Sequence, residues 1–377
     1  MKTLVHAKHI GLILVIVCSL LAGCVREPSY GLIFTAFDPK TDTVGIYQLS
    51  ENGQKASMIT TLDETQILSR ITDISADGKR IVVIKPSGET NDPNGITKTP
   101  ALFFLDEGEP IQEELHLPQG VINAALSPDG QQIAVSDSNS LWVGMSEDIR
   151  RENLQLIGQS QYIFANSISW SPDGKYIAYT KSIDWSTVSK TYEKYAFYTE
   201  TDIVNLTTLE NQILTDGSMG CNDPKWSPNN KWIAVTCKNV DDLVDSLILL
   251  SPDGRDKKIL QEDGLCYSYD WSDDGKLIAY LCIGGGKTNI FYSKVDEIGQ
   301  NVVPILILKN INEISDIVWT PDGKNLIMVM TIMKNIDTIP IVYEDKLFIT
   351  NLDGSDQRIL DDQLENYQNL QIFKNKY

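Results

Sequence analysis

Trp170-Ser171-Pro172-Asp173-Gly174-Lys175, running on into Tyr176-Ile177-Ala178-Tyr179, is the stretch from which the fold can be read. Proline presets φ at the second turn position, Asp suits the third, and Gly takes the positive φ that closes a type I turn. Such a turn followed by a left-handed residue makes a tight hairpin loop with a bulge. The apolar, aromatic and β-branched residues on both sides then read as two antiparallel strands.

Five more copies of this hairpin surround it. They turn at Ser75-Ala76-Asp77-Gly78, Ser127-Pro128-Asp129-Gly130, Ser227-Pro228-Asn229-Asn230, Ser272-Asp273-Asp274-Gly275 and Thr320-Pro321-Asp322-Gly323. Trp170, Trp226, Trp271 and Trp319 precede four of the turns, and Ile74 and Leu126 precede the other two. Asn230 replaces the usual glycine, and Asn is among the non-glycine residues that best tolerate the left-handed conformation. The turns recur every 44 to 56 residues, the spacing of propeller blades. The pattern resembles the repeat of TolB-type β-propellers, a branch similar to the WD-repeat proteins. A companion signature of that family, an outer strand followed by Asn-x-Asp-Gly-Ser, has its counterparts in Ile349 to Ser355 and in Ser251-Pro252-Asp253-Gly254. The resemblance implies an all-β propeller over residues 31–377. It does not extend to the α/β domain that precedes the TolB propeller.

Blade count follows from the ends. Gly31–Ala36, Val44–Leu49 and Ala56–Thr61 read as second, third and fourth strands of a blade with no tryptophan hairpin before them. Asn369–Tyr377 reads as the missing first strand, with Phe373 in the tryptophan position. Joining the two gives seven blades of four antiparallel strands and removes the open sheet edges of an unclosed ring. Six blades with a loose N-terminal hairpin, as the TolB-type relatives suggest, is the alternative.

The start of the chain reads as an export signal. Lys2 and Lys8 precede an apolar core from Ile10 to Leu21, too short for a good membrane span. Leu21-Ala22-Gly23-Cys24 resembles the bacterial lipobox, which implies a signal peptide over 1–23, lipidation of Cys24 and a short tether over 24–30. The expected location is the bacterial cell envelope, on the outer face of the cytoplasmic membrane or on the outer membrane. The formal charge is −19, and −21 without Lys2 and Lys8. That acidity argues against nucleic acid as a partner and limits membrane contact to the anchor.

Four cysteines fall in one register: Cys221 and Cys266 lie five residues before Trp226 and Trp271, and Cys237 and Cys282 lie eleven after them. In an exported protein this reads as two disulfides, each across one hairpin. Cross-blade pairing and a four-cysteine zinc site are the competing readings, though no Cys-x-x-Cys pair occurs.

Catalytic motifs are scarce. His6 and His9 lie in the signal, which leaves His116 in the outer-strand stretch Glu113–Leu117. There is no Gly-x-Ser-x-Gly elbow, and Gly284-Gly285-Gly286-Lys287-Thr288 lies between strands rather than before a helix, so it reads as a hairpin loop. No cofactor and no metal is expected. The first strands of a propeller line its channel. Counting three back from the tryptophan position gives Ile71, Asn123, Ser167, Asp223, Ser268 and Asp316, five of them polar. They read as a ligand-binding ring or as the wall of a water-filled channel. Asp73, Lys225 and Asp270, two residues further on, carry the same two readings.

Loops between second and third strands are the long ones: Pro86–Pro100, Lys181–Lys194 and Thr331–Glu344. Strand alternation puts them on one face, and Trp185 and Tyr192 within them are candidate partner contacts. These features together predict a non-catalytic, monomeric scaffold that binds a protein or peptide. A propeller enzyme acting on extracellular carbohydrate, with Asp223 and Asp316 as acid and base, is the second reading.

Overall fold

The computed structural model describes residues 30–374, apart from 51–54, 63–69, 76–77, 88–96, 107–108, 112–119, 161, 183–198, 216–218, 240–244, 262–264, 296–301, 312, 334–342 and 362. The leader, Cys24, His116, Trp185 and Tyr192 therefore lie outside the described residues.

Among the described residues, twenty-eight strands form seven four-stranded antiparallel sheets, the seven blades of a closed propeller. The chain enters through β1 (Tyr30–Asp38), β2 (Thr43–Ser50) and β3 (Ser57–Leu62), which are the second to fourth strands of the seventh blade. Blade 1 is β4 to β7 (Arg70–Ile74, Arg80–Ser87, Thr97–Asp106, Glu109–Ile111) and blade 2 is β8 to β11 (Asn123–Leu126, Gln132–Ser136, Ser140–Met145, Gln155–Gln159). Blade 3 is β12 to β15 (Ile163–Trp170, Tyr176–Ser182, Thr199–Asn205, Asn211–Ile213) and blade 4 is β16 to β19 (Met219–Trp226, Ile233–Asn239, Asp245–Leu250, Lys257–Gln261). Blade 5 is β20 to β23 (Leu265–Trp271, Leu277–Gly284, Lys287–Lys294, Ile305–Ile311) and blade 6 is β24 to β27 (Glu313–Trp319, Asn325–Met333, Tyr343–Asn351, Arg358–Asp361). Then β28 (Glu365–Lys374) pairs with β1 and closes the ring.

The closing strand is longer than its sequence suggests. It starts at Glu365 rather than Asn369, because two bulges interrupt the alternation, with Asn366 and Asn369 in left-handed conformations at φ 53° and 54°. Phe373 opposite Gly31 keeps the register of Trp170 opposite Ile177.

Each inner turn is held by its first residue. Ser171 is fully buried; its hydroxyl donates to Asp173 Oδ1 at 2.7 Å and accepts the Tyr176 N–H at 2.9 Å. Ser127, Ser227, Ser272 and Thr320 repeat both contacts. Gly174 and Asn230 take the left-handed position at φ 70° and 61°. Pro, Asp and Gly shape the turn, and the buried hydroxyl joins its two ends.

The core lies between blades. Alternate residues of each strand face opposite neighbours: Ile177 and Tyr179 pack on blade 2, while Ala178 packs on blade 4. Tryptophans before the turns wedge into these seams and bond across them. The indole N–H of Trp170 donates to Ala125 O at 3.0 Å, that of Trp271 to Lys225 O at 3.2 Å, and that of Trp319 to Asp270 O at 2.9 Å. Burial of a large apolar side chain contributes about 1.5–3 kcal/mol, and the bond fixes the depth of the wedge. Trp226 departs from the pattern; its buried indole N–H has no hydrogen-bond partner among the described residues.

Two disulfides, Cys221–Cys237 and Cys266–Cys282, cross β16–β17 and β20–β21 between directly paired residues. The intra-hairpin reading holds, and neither cross-blade pairing nor a four-cysteine zinc site forms. Gly285 and Gly286, both at positive φ, make the two-residue turn between β21 and β22, so the glycine-rich stretch is a hairpin loop.

Candidate functional site

A cavity of about 590 Å³ occupies the channel where the inner strands converge. Asn123, Asp223, Ser268 and Asp316 all line it, so the structure brings these polar positions together. Ser167 falls in β12, beside Ile168 and Ser169, which are lining residues. The wall is broader than a single ring, because Lys225, Asp270 and the β28 residues Gln368 to Ile372 also contribute.

Bulges explain why. Five inner strands carry two residues opposite one on their partners: β4, β16, β20, β24 and β28. A bulge re-aims the following side chains, so positions from five before to one before the tryptophan position reach the channel. At β16 the bulge is Asp223-Pro224, with Asp223 in the left-handed region at φ 60°. Asp tolerates that region better than most non-glycine residues. Nothing in the alternation of Asn222–Lys225 marks this bulge except Pro224, which cannot donate to the ladder.

The carboxylates fasten neighbouring blades. Asp73 accepts the N–H of Leu126 in the next blade at 2.8 Å and its neighbour Ile74 N–H at 2.8 Å. Asp270 accepts the Trp319 N–H at 3.0 Å, and Ser169 plays the same part for Trp226 at 3.0 Å. Asp316 accepts Ile317 N–H at 2.9 Å and Leu370 N–H at 3.0 Å. Burial pushes Asp73 up to about 7, with those two N–H groups pulling it down. Burial likewise raises Asp270 and Asp316; the Lys225 ammonium and the backbone N–H groups offset part of it, and the Asp270 charge raises Asp316 further.

Lys225 brings a cation to the cavity. Its Nζ donates to Tyr269 O at 2.7 Å and stands 5.2 Å from the centre of the Tyr269 ring. Tyr269 is buried, and its hydroxyl donates to the Asp223 carbonyl. Burial, then the Asp223 charge, raises this phenol well above its ordinary value, so it stays a neutral donor. Leu265 and Ile283, cross-strand partners beside the Cys266–Cys282 disulfide, are 44% and 36% exposed. Leu265 begins β20 and Ile283 is the last residue but one of β21, at the end of the ring from which the long second-to-third-strand loops depart. Among the described residues no group of three His, Cys, Asp or Glu side chains is placed to hold a metal.

No protein-family model and no curated protein matches the sequence. Solved structures do match in shape. A TolB from Agrobacterium tumefaciens aligns at 16% identity and TM-score 0.50, over 78% of this chain and 95% of that one. An oligogalacturonate lyase from Vibrio parahaemolyticus aligns at 16% identity and TM-score 0.57, over 87% and 84%. The β-propeller domain of the Trilobed protease from Pyrococcus furiosus, described as having an open velcro topology, aligns at 12% and TM-score 0.58, over 90% and 96%. At these identities the likeness is of fold. The class is thus a β-propeller, a fold the chain shares with TolB and with the other two proteins. This chain is a seven-bladed form closed by β28.

Proposed function

We propose that this is an exported, envelope-anchored recognition propeller, non-catalytic, which takes a protein or peptide partner on its long-loop face. The observation that carries the reading is the polar channel cavity together with exposed Leu265 and Ile283, Leu265 two residues before the cavity-lining Tyr267 on β20, on a ring stiffened there by two disulfides. An apolar anchor next to convergent polar groups is the make-up of a protein-binding hot spot. Disulfides support a location outside the cytoplasm. The lipid anchor rests on Leu21-Ala22-Gly23-Cys24, and the monomeric state on the ring's closed edges.

The second reading, a carbohydrate-active propeller using Asp223 and Asp316, draws on the raised pKa of Asp316 and on the lyase among the fold neighbours. It takes second place because both Asp316 oxygens accept backbone N–H groups. A general acid must instead reach its substrate.

The test is site-specific photo-crosslinking in cells of the source organism. A crosslinker at Ile283 should trap one discrete envelope protein, and one at Asp173 on the opposite face should not. Turnover of an oligogalacturonate or other glycan panel, abolished by Asp316→Asn in a folded ring, would replace this reading by the enzymatic one.

A further inference from the structure

A second cavity, of about 950 Å³, lies far from the channel, at the seam where blade 6 meets blade 7. Its walls come from both ends of the chain: the β1–β2 turn, β2 and the start of β3 on one side, and β27 with the turn after it on the other. Tyr47 reaches it from β2. Tyr47 is 4% exposed, its ring stacks on Phe34 at 6.1 Å, and its hydroxyl makes no well-formed hydrogen bond among the described residues, with the Thr43 hydroxyl beside it. A buried polar atom without a partner costs free energy and calls for an explanation.

The other polar groups of the cavity sort into committed and available ones. Asp361 Oδ1 is taken up by the Tyr367 hydroxyl at 2.6 Å and by the N–H groups of Gln363 and Leu364. Asp38 Oδ1 accepts the Lys40 N–H at 2.8 Å. Lys40 Nζ gives one hydrogen to Gln363 Oε1 at 2.8 Å and keeps two. Lys55 makes no ion pair or hydrogen bond among the described residues. Burial, then the Asp38 charge, holds the Tyr47 phenol above its ordinary pKa, with the Thr43 hydroxyl opposing, so it remains a neutral O–H donor. The phenol and the two ammonium groups are left as donors, beside the Thr41 and Ser57 hydroxyls, and the charges of Lys40 and Lys55 balance those of Asp38 and Asp361 in the same lining. Apolar surface completes it, with Leu364 buried, Leu360 half-buried and Met58 52% exposed at the lip.

We propose that this seam binds a small amphipathic anion, a carboxylate with an apolar tail. The Tyr47 hydroxyl and the Lys55 and Lys40 ammonium groups take the head, and Met58, Leu360 and Leu364 take the tail. Cavities of roughly 300–1,000 Å³ with apolar walls and a few convergent polar groups are the usual form of small-molecule sites. Charge-assisted bonds to a carboxylate are the stronger kind, and the buried phenol adds direction. Occupancy would also tie β27 to β2 and β3, across the closure of the ring.

Decanoate is the probe, titrated below its micellar range into the disulfide-intact protein by calorimetry and by thermal unfolding. It should bind saturably at one site per chain and raise Tm, since a ligand of the closed ring stabilises it by mass action. Decanol and decyltrimethylammonium should bind at least about tenfold more weakly, each lacking the anionic head that the donors select. Tyr47→Phe gives up the contact with the Thr43 hydroxyl but no well-formed hydrogen bond, and should change Tm without ligand little, yet weaken decanoate about tenfold. Lys55→Glu, a surface change, should weaken it at least as much. The proposal is overturned by an absence of saturable decanoate binding, by equal affinity for the cationic analogue, or by wild-type affinity in Tyr47→Phe or Lys55→Glu.

Discussion

Asp316 of the sixth blade accepts the Leu370 N–H of the seventh at 3.0 Å, so a channel carboxylate holds the strand that closes the ring. Leu370 and Ile317, the two residues whose N–H groups it satisfies, are almost fully buried. Asp316→Ala should therefore strand two buried donors and cost about 1–3 kcal/mol. Asp316→Asn keeps an acceptor and should cost less. Denaturant midpoints decide this, and equal midpoints for Asp316→Ala and the wild type would refute the role.

The closure itself is tested by removing Leu370 to Tyr377. That deletion takes away the Ile33↔Gln371, Leu32↔Ile372, Gly31↔Phe373 and Tyr30↔Lys374 pairs and exposes the edge of β1. Cooperative thermal unfolding should be lost or shifted well down. An unchanged melting profile would mean the ring does not depend on β28.

The blade pattern was legible because its turn is chemically narrow. Ser171-Pro172-Asp173-Gly174 admits few other conformations, and its repeats fix strand order and count. Closure was legible for the same reason, since Phe373 continues the tryptophan register. The channel was legible only in part. Counting back from Trp226 finds Asp223, but the Asp223-Pro224 bulge brings Lys225 into the wall as well, and bulges leave little trace in alternation. The seam cavity was not legible at all. Tyr47 and Leu360 are more than three hundred residues apart and meet only because the ring closes.

Three inner-strand carboxyls, Asp73 and the channel-lining Asp270 and Asp316, give stability a pH dependence with a definite sign. Asp73 has a folded pKa of about 7, well above its unfolded value, so the folded state binds the extra proton. Its contribution is full below the unfolded pKa of about 4 and is lost as pH rises to about 7. Asp270 and Asp316, also raised, add in the same direction. The turn residues Asp129 and Asp253 oppose this: hydrogen bonds from Ser127 and Ser251 lower them, and their contribution is lost as pH falls below about 4. Between pH 4 and 7 the denaturant midpoint should fall, and Asp73→Asn should flatten that slope. A slope that is unaltered in Asp73→Asn would remove Asp73 from the account.

Both disulfides close loops with a sequence separation of 16 residues. In the chain-entropy model each contributes roughly 3 kcal/mol. Cys221→Ser with Cys237→Ser, or the equivalent change at Cys266 and Cys282, should lower stability by about that amount. Non-reduced peptide mapping of protein taken from the envelope should return the pairs 221–237 and 266–282. Four free thiols in that material would argue against oxidation in place.

The last prediction concerns how the ring stands on the membrane. Tyr30 pairs with Lys374 at the end of an inner strand, and inner strands end at the tight-turn face that carries Asp173. A lipid on Cys24 would thus attach at that face, through a tether from Val25 to Tyr30 of roughly 20 Å at ~3.3 Å per residue. Ser182 ends β13 at the opposite face, so the segment containing Trp185 departs from there. A ring on so short a tether cannot turn over easily, and Trp185 should point away from the bilayer. Single cysteines at Trp185 and Asp173, treated with a membrane-impermeant reagent in intact proteoliposomes, report on the two faces. Labelling should favour position 185. Free labelling at 173 with protection at 185 would reverse the orientation and move the face proposed to bind a partner towards the lipid.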